Sequence, residues 1–165
     1  MKKKIKKILL AGLGAEIGSM LLCMNNPKKD GLSIDTVITR PILNNKNHTN
    51  LESLYARLVL NEPSILPFIE IDENNQVIKI RGRKIKVFWG DITKFNFKKI
   101  KKNFDATIVA TSKSHINNKN LMKRFLQISK FVFGVAESKY FPAIYPCLIN
   151  FNDKLIQNKM RNIKD

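Results

Sequence analysis

The sequence has few of the residues that build metal clusters or disulfide frameworks. Its 165 residues include two cysteines, Cys23 and Cys147, and two histidines, His48 and His115. Two cysteines exclude a disulfide framework and a four-cysteine zinc site. The chain also lacks an uninterrupted apolar run of about 18 residues, so the sequence predicts no membrane-spanning helix and no membrane partner.

Acidic residues are scarce beside basic ones. The chain has 13 Asp and Glu and 30 Lys and Arg, which gives a formal net charge of +17 at pH 7 and favours anionic partners non-specifically. Three phenylalanines, Phe95, Phe97 and Phe104, flank the basic run 98–102. Basic residues beside aromatic rings suit a nucleic-acid surface. The helical spacing of the apolar residues instead favours a solvated helix with its rings in the core.

The N-terminus imitates a secretory signal in part. The lysine-rich segment 2–7 precedes the apolar run 8–15, as in the first two regions of a signal peptide. Glu16 interrupts that run, and no small-x-small cleavage site follows it. We therefore expect a cytoplasmic chain, with secretion as the less favoured alternative.

Short apolar runs and helical spacing predict an alternating chain. The predicted strands are residues 6–11, 34–39, 68–72, 76–80, 84–88, 105–111 and 130–135. The predicted helices are residues 15–24, 51–61, 92–103 and 120–128, the first with Ile17, Met20, Leu21 and Met24 on one face. Strands that alternate with helices indicate a mainly parallel sheet with helices on both faces. We expect a Rossmann-like, doubly wound α/β fold with an inserted hairpin.

The length suits one domain of ordinary size. Apolar residues make up 44% of the chain, enough for a buried core. We assign residues 1–150 to a dinucleotide-binding-type domain and residues 151–165 to a basic C-terminal tail.

A glycine-rich turn lies between the first predicted strand and the first predicted helix. In residues 12–18, Gly12 permits a tight turn, and Gly14 would let a diphosphate approach the backbone. Gly18 would allow close packing of the helix on the strand, and the helix N-terminus offers free N–H groups. The alternative is a purely structural turn. Glu16 also counts against an anion unless its carboxylate points to solvent.

The end of the second predicted strand lacks the acid that commonly binds an adenosine ribose. Arg40 stands there instead. A guanidinium has donors only and cannot accept a hydrogen bond from a 2′-hydroxyl, but it can pair with a 2′-phosphate. Arg40 therefore slightly favours NADP over NAD, unless it is merely exposed beside a site that no longer binds a nucleotide.

The order of these segments resembles the N-terminal NAD(P)-binding domain of the glyceraldehyde-3-phosphate dehydrogenase family. The resemblance runs at low identity from about Lys4 to Ser138. Its closest match is residues 82–88 (GRKIKVF), which are similar to the family's Gly-Lys-Lys-Ile-x-Val-Phe strand. The family's Gly-Phe-Gly-Arg-Ile-Gly opening corresponds to residues 12–18 with one residue inserted, and its Ala/Ser-Thr-Gly strand end is similar to residues 110–112.

The resemblance implies an NAD or NADP cofactor and a set of residues around it. Gly14, Glu16 and Ile17 would lie at the diphosphate after Gly12, Arg40 at the adenosine ribose, and Thr111 and Ser112 beside the cofactor. The family's nucleophile motif, Ser-x-Ser-Cys-Thr-Thr-Asn, has no counterpart here.

Cys147 falls in roughly the region of that nucleophile but lacks its neighbours. No His follows it, whereas a reactive thiolate usually needs a nearby His. A buried apolar thiol is the more usual interpretation. We therefore assign no catalytic residue and expect a domain that is catalytically incomplete alone. Any activity would be that of an NAD(P)-dependent oxidoreductase of the phosphorylating aldehyde dehydrogenase type.

Two functional hypotheses follow from the sequence. The first is a dinucleotide-binding domain that acts as a cofactor-binding or regulatory unit, or as a partner of a larger dehydrogenase subunit or of its own copies. The second is a Rossmann-like scaffold that has lost the nucleotide and binds an anionic partner, either nucleic acid or protein.

Overall fold

Eight strands of the chain form one sheet in the structure, a computed structural model that describes residues 5–13, 16–42, 47–137 and 142–145. The strands are β1 (Lys6–Ala11), β2 (Leu32–Thr39), β3 (Ile69–Asp72), β4 (Val77–Ile80), β5 (Arg83–Trp89), β6 (Phe104–Val109), β7 (Ser129–Glu137) and β8 (Pro142–Tyr145). The helices are α1 (Glu16–Met24), α2 (Pro27–Asp30), α3 (Asn50–Asn61), α4 (Lys113–Ile116) and α5 (Lys119–Phe125). Two 3-10 helices, Pro63–Phe68 and Phe97–Lys99, complete the described elements.

The strands lie across the sheet in the order β3-β4-β5-β2-β1-β6-β7-β8. The five central strands, β5 to β7 in that order, are parallel, while β3, β4 and β8 pair antiparallel at the edges. From β1 the chain builds outward to β2 and β5, then returns to β6 on the other side of β1. The order therefore reverses between β1 and β6, which confirms the predicted Rossmann-like fold with its inserted hairpin.

Both faces of β1 are covered, as its short apolar sequence requires. Ile8 and Leu10 pack against the face that carries α1 and α3. Leu9 and Ala11 pack against the opposite face, which carries α5 and the chain between β5 and β6. None of these four side chains is more than 3% exposed. The sheet is thus doubly wound.

Helix α1 is rotated relative to the prediction from its apolar spacing. Met20 and Met24 are exposed, whereas Ser19, Leu22 and Cys23 are buried. Gly18 accounts for the rotation, because a Cβ there would collide with the carbonyl oxygen of Gly12. Gly18, the one residue of this helix without a side chain, must therefore face the strand. This orientation decides which of the other residues of α1 are buried.

The C-terminal end of α1 is capped by the turn between β4 and β5. Arg81 Nη1 donates to the Cys23 carbonyl and Arg83 Nη2 donates to the Leu22 carbonyl, both at 2.9 Å. Arg83 also bonds Asn25, whose side chain accepts from the backbone N–H of Ile34 at 2.9 Å. Carbonyls that a helix end leaves without partners are thus satisfied by two guanidinium groups.

The helix predicted over residues 92–103 is absent; only the 3-10 turn Phe97–Lys99 forms there. Phe95, Phe97 and Phe104 are nevertheless buried, which confirms that these rings belong to the core. Arg124 provides hydrogen bonds to carbonyls of this segment in place of helical ones. It donates to the carbonyls of Thr93 and Phe95, and its guanidinium carbon lies 4.7 Å from the centre of the Phe97 ring.

The helix predicted over residues 51–61 forms as α3. Helix α3 begins at a capping box, in which Thr49 accepts from the Glu52 N–H and Glu52 accepts from the Thr49 N–H. Within the described ranges, no helix is long and apolar enough to cross a membrane. The tail 151–165 and Cys147 lie outside the described residues.

Candidate functional site

The carboxyl ends of the central parallel strands meet at one edge of the sheet, here called the carboxyl edge. It is formed by residues 12–13 after β1, 40–42 after β2, 90–91 after β5 and 110–112 after β6. The loops after β1 and β6 leave neighbouring strands in different directions, and ligands of doubly wound sheets bind in the crevice that this creates. Most of the residues selected from sequence lie at this edge.

Gly12 is required by its surroundings. Its φ of +101° is one that other residues rarely adopt, and a Cβ would lie 2.5 Å from the carbonyl oxygen of Ala110. The same Cβ would lie 2.5 Å from Cγ2 of Thr111. The loops after β1 and β6 are therefore in direct contact. Close packing at Gly12 and Gly18 is sufficient to explain why glycines stand at these two positions, whether or not a ligand binds.

The start of α1 faces the same edge. Glu16 is exposed and Ile17 is half-buried, so the carboxylate that would oppose an anion is accessible to solvent. Gly14, which would admit the diphosphate, lies outside the described residues. The N–H groups of the first turn of this nine-residue helix provide the partial positive charge that anions prefer.

Arg57 of α3 is a cation at this turn that sequence reasoning missed. Its Nη1 donates to the carbonyl of Leu13 at 3.2 Å, and the side chain is half-buried. Its position in the sequence could have indicated this, because Arg57 follows Leu54 by three residues and so lies at the border of the apolar stripe of α3. A guanidinium so placed both fixes the turn and adds positive charge beside it.

Arg40 is not an unpaired cation. Its Nη2 lies 3.1 Å from Oδ2 of Asp91, and the two side chains are 65% and 34% exposed. Asp91 was not selected from the sequence, because 51 residues separate it from Arg40. They meet because β2 pairs with β5, with Thr39 opposite Trp89.

The Asp91 carboxylate is fixed by its own loop. Its Oδ1 accepts from the Thr93 hydroxyl at 2.7 Å and from the Thr93 N–H at 2.9 Å. These bonds hold the pKa of Asp91 below its ordinary value, with smaller contributions from Arg40 and His115. The group is therefore ionised at neutral pH.

Two buried polar atoms near the end of β6 have no hydrogen-bond partner among the described residues. They are Oγ1 of Thr111 and Nδ1 of His115. Ser112, between them in sequence, shares a hydrogen bond of 2.8 Å with Ser114 through their hydroxyls. Buried polar atoms are nearly always paired, so each of these two atoms can take a further hydrogen-bond partner, such as a water molecule or a ligand group.

The described residues place no nucleophilic thiol at this edge. Cys23 lies near the C-terminal end of α1, is fully buried and belongs to the core. Burial raises the pKa of its thiol to about 11, and Glu62 adds to the effect. The described part of the chain also contains no group of three or more His, Cys, Asp or Glu that could hold a metal ion.

A scan of protein-family models and a search of curated proteins both find no match to this chain. A proposal for the function of the chain therefore rests on the geometry of the carboxyl edge and on the resemblance of its sequence segments.

Proposed function

We propose that the chain is a dinucleotide-binding domain similar to the N-terminal domain of glyceraldehyde-3-phosphate dehydrogenase. It would hold NAD(P) at the carboxyl edge and serve as a cofactor-binding, regulatory or partner unit, catalytically incomplete alone. The observation that carries the proposal is the reversal of the strand order between β1 and β6, where the N-terminus of α1 and the unpartnered Thr111 hydroxyl lie at the same edge of the sheet.

The residues at this edge fit such a ligand. The N-terminus of α1 and Arg57 provide positive charge for a diphosphate, and the Thr111 hydroxyl provides an unpaired polar atom beside the turn. A bound nicotinamide would supply hydride transfer. The described residues provide binding and orientation, and the buried Cys23 is too far along α1 to take part.

Calorimetric titration of the full chain with NAD and with NADP tests the proposal. We expect saturable binding of at least one of them, and the absence of binding at millimolar concentration of both would overturn it. Thr111→Val removes the orphan hydroxyl with little change in shape, and should weaken binding about three- to tenfold. Ser53→Ala is the matched control, because it removes another buried, unpartnered hydroxyl, on α3 outside the strand-end loops.

A second candidate function has its own observation, the lysines at the opposite edge of the sheet. The exposed lysines around the starts of the parallel strands include Lys6, Lys7, Lys28, Lys29, Lys84, Lys101, Lys102 and Lys130. Ion pairs of 3.1 Å join Lys102 to Asp35 and Lys130 to Asp105, so only part of this charge is compensated. A cavity of about 400 Å³, lined by residues 103–104 and 126–130, opens at the same edge.

This edge suits the phosphates of a nucleic acid. Retardation of nucleic acid in a gel should then fall steeply with added salt. The double variant Lys28→Glu/Lys29→Glu should abolish it. Lys94→Glu/Lys119→Glu changes the net charge equally away from this edge and should not. If both double variants weaken retardation equally, the interaction depends on the net charge of the chain and not on this edge.

A further inference from the structure

The end of β2 lacks a carboxylate, but the neighbouring strand supplies one. Oδ2 of Asp91, two residues after β5, lies 3.1 Å from Nη2 of Arg40. The Gly90 N–H donates to the Thr39 carbonyl at 2.9 Å, which holds the two strand ends side by side. An acidic group is therefore present beside the position where a ribose-binding acid is expected, although it comes from another part of the sequence.

The two members of this ion pair are held unequally. Asp91 is fixed through Oδ1 by the amide and the hydroxyl of Thr93. Arg40 contacts Asp91 through a single nitrogen, and its side chain is 65% exposed. Exposed ion pairs contribute little to stability, so Arg40 can turn away at small cost. The charge that stays at this position is the negative one.

The Asp91 carboxylate also has capacity for a ligand. Two carboxylate oxygens offer about four acceptor positions. Thr93 occupies two of them and Arg40 a third, and the side chain is 34% exposed. A ribose hydroxyl can donate to the remaining position, and a second one can replace Arg40. A 2′-phosphate would instead bring its negative charge against a fixed carboxylate.

We propose that Asp91 accepts hydrogen bonds from the adenosine ribose and thereby selects NAD over NADP, with Arg40 as its mobile counter-ion. The inference rests on the proposed function and deepens it. Arg40 considered alone favours NADP, whereas Arg40 paired with a fixed carboxylate favours the cofactor without the 2′-phosphate.

Dissociation constants of the full chain for NAD and for NADP, measured by titration calorimetry, test the inference. The unsubstituted chain should bind NAD more tightly. Asp91→Asn, which keeps an oxygen for Thr93, should weaken NAD about tenfold or more, since hydrogen bonds to charged groups are the stronger kind. The same variant should strengthen NADP, because it removes the repulsion and releases Arg40. Arg40→Gln should leave NAD within about twofold.

Asp72→Asn is the matched control for the acid. Asp72 likewise accepts hydrogen bonds from its own turn, from the Asn75 backbone at 3.1 Å and side chain at 2.9 Å, but it lies on the β3–β4 hairpin. It should leave both constants unchanged.

The possible failures are distinct. Tighter binding of NADP than of NAD, lost in Arg40→Gln, would show that Arg40 reads a 2′-phosphate and would overturn the inference while the proposed function stands. NAD binding that is indifferent to Asp91→Asn would do the same. Absence of binding of both dinucleotides would overturn the proposed function and the inference with it.

Discussion

The two ends of α1 differ in how the surrounding polar groups are used. At the C-terminal end, Arg81 and Arg83 donate to the last carbonyls, and Asn25 is bonded on both sides. At the N-terminal end, the nearby loop after β6 leaves the Thr111 hydroxyl buried without a partner among the described residues. The first end is completed by the protein's own side chains, as a structural contact is. The second leaves a polar atom without a partner from the described residues, which supports the binding site proposed there.

The largest expected effect is on the fold at the N-terminal end. Gly12→Ala combines a positive φ with contact against the Ala110 backbone, and should lower the free energy of unfolding by about 3 kcal/mol or more. Gly82→Ala is the control, with a φ of +75° but open space around its Cβ, and should cost about 1 kcal/mol. Urea denaturation measures both. Equal losses would mean that crowding at Gly12 is unimportant.

Substitution of one arginine at each end should separate structure from function. Arg83→Met leaves the Leu22 carbonyl without its donor and should lower the free energy of unfolding by about 2 kcal/mol, with little effect on dinucleotide affinity. Arg57→Met removes one hydrogen bond to Leu13 and should cost about 1 kcal/mol or less, but weaken dinucleotide binding. Denaturation and titration calorimetry on both variants check this. The reverse pattern would contradict the comparison.

The buried Cys23 thiol predicts a pH dependence at the C-terminal end. Its pKa is raised to about 11 in the folded chain from an ordinary 9.0, so the unfolded chain loses the proton first. The stabilising contribution is complete below about pH 9 and is lost as the pH rises toward 11.

A Cys147→Ser background isolates Cys23 for this measurement. The stability that the background chain has over its Cys23→Ala derivative should shrink by roughly 1–2 kcal/mol between those pH values. A difference that stays constant with pH would mean that the thiol titrates alike in both states.

The smallest expected effect compares a paired with an unpaired hydroxyl of the same region. Thr107, in β6, shares a buried hydrogen bond with Ser129, so Thr107→Val should cost about 1 kcal/mol. Thr111→Val removes a hydroxyl without a partner among the described residues, and should leave stability unchanged or raise it by up to about 1 kcal/mol. A loss on Thr111→Val as large as on Thr107→Val would show that the Thr111 hydroxyl is already satisfied.

Local patterns were sufficient to predict most of the architecture, although not the edge strand β8. Apolar runs marked β1 and β6, and the turns after Asp72 and Ile80 marked the hairpin, because burial and turn chemistry act over a few residues. Long-range contacts decided what the patterns missed. The rotation of α1 follows from Gly18 against Gly12, and the loss of a helix at 92–103 follows from Arg124 binding carbonyls about 30 residues earlier.

The candidate site divides in the same way. The glycine turn and Arg40 could be found from spacing, since each follows directly from the end of a predicted strand. Asp91 and Arg57 could not, because they reach the site through strand pairing and helix packing. The net charge at the end of a strand therefore cannot be inferred from that strand's own sequence. It also depends on the residues that follow the neighbouring strands.

The arginine cap on α1 has a consequence for how the molecule opens. Arg81 adopts a φ of +49° in the turn before β5, and this turn and the first residue of β5, Arg83, supply the two guanidinium groups to the helix. Separating the hairpin from the sheet would thus uncover helix carbonyls at the same moment. We expect the amide protons of β4, β5 and the last turn of α1 to exchange with solvent deuterium in one cooperative event, so that hairpin and helix behave as a single foldon.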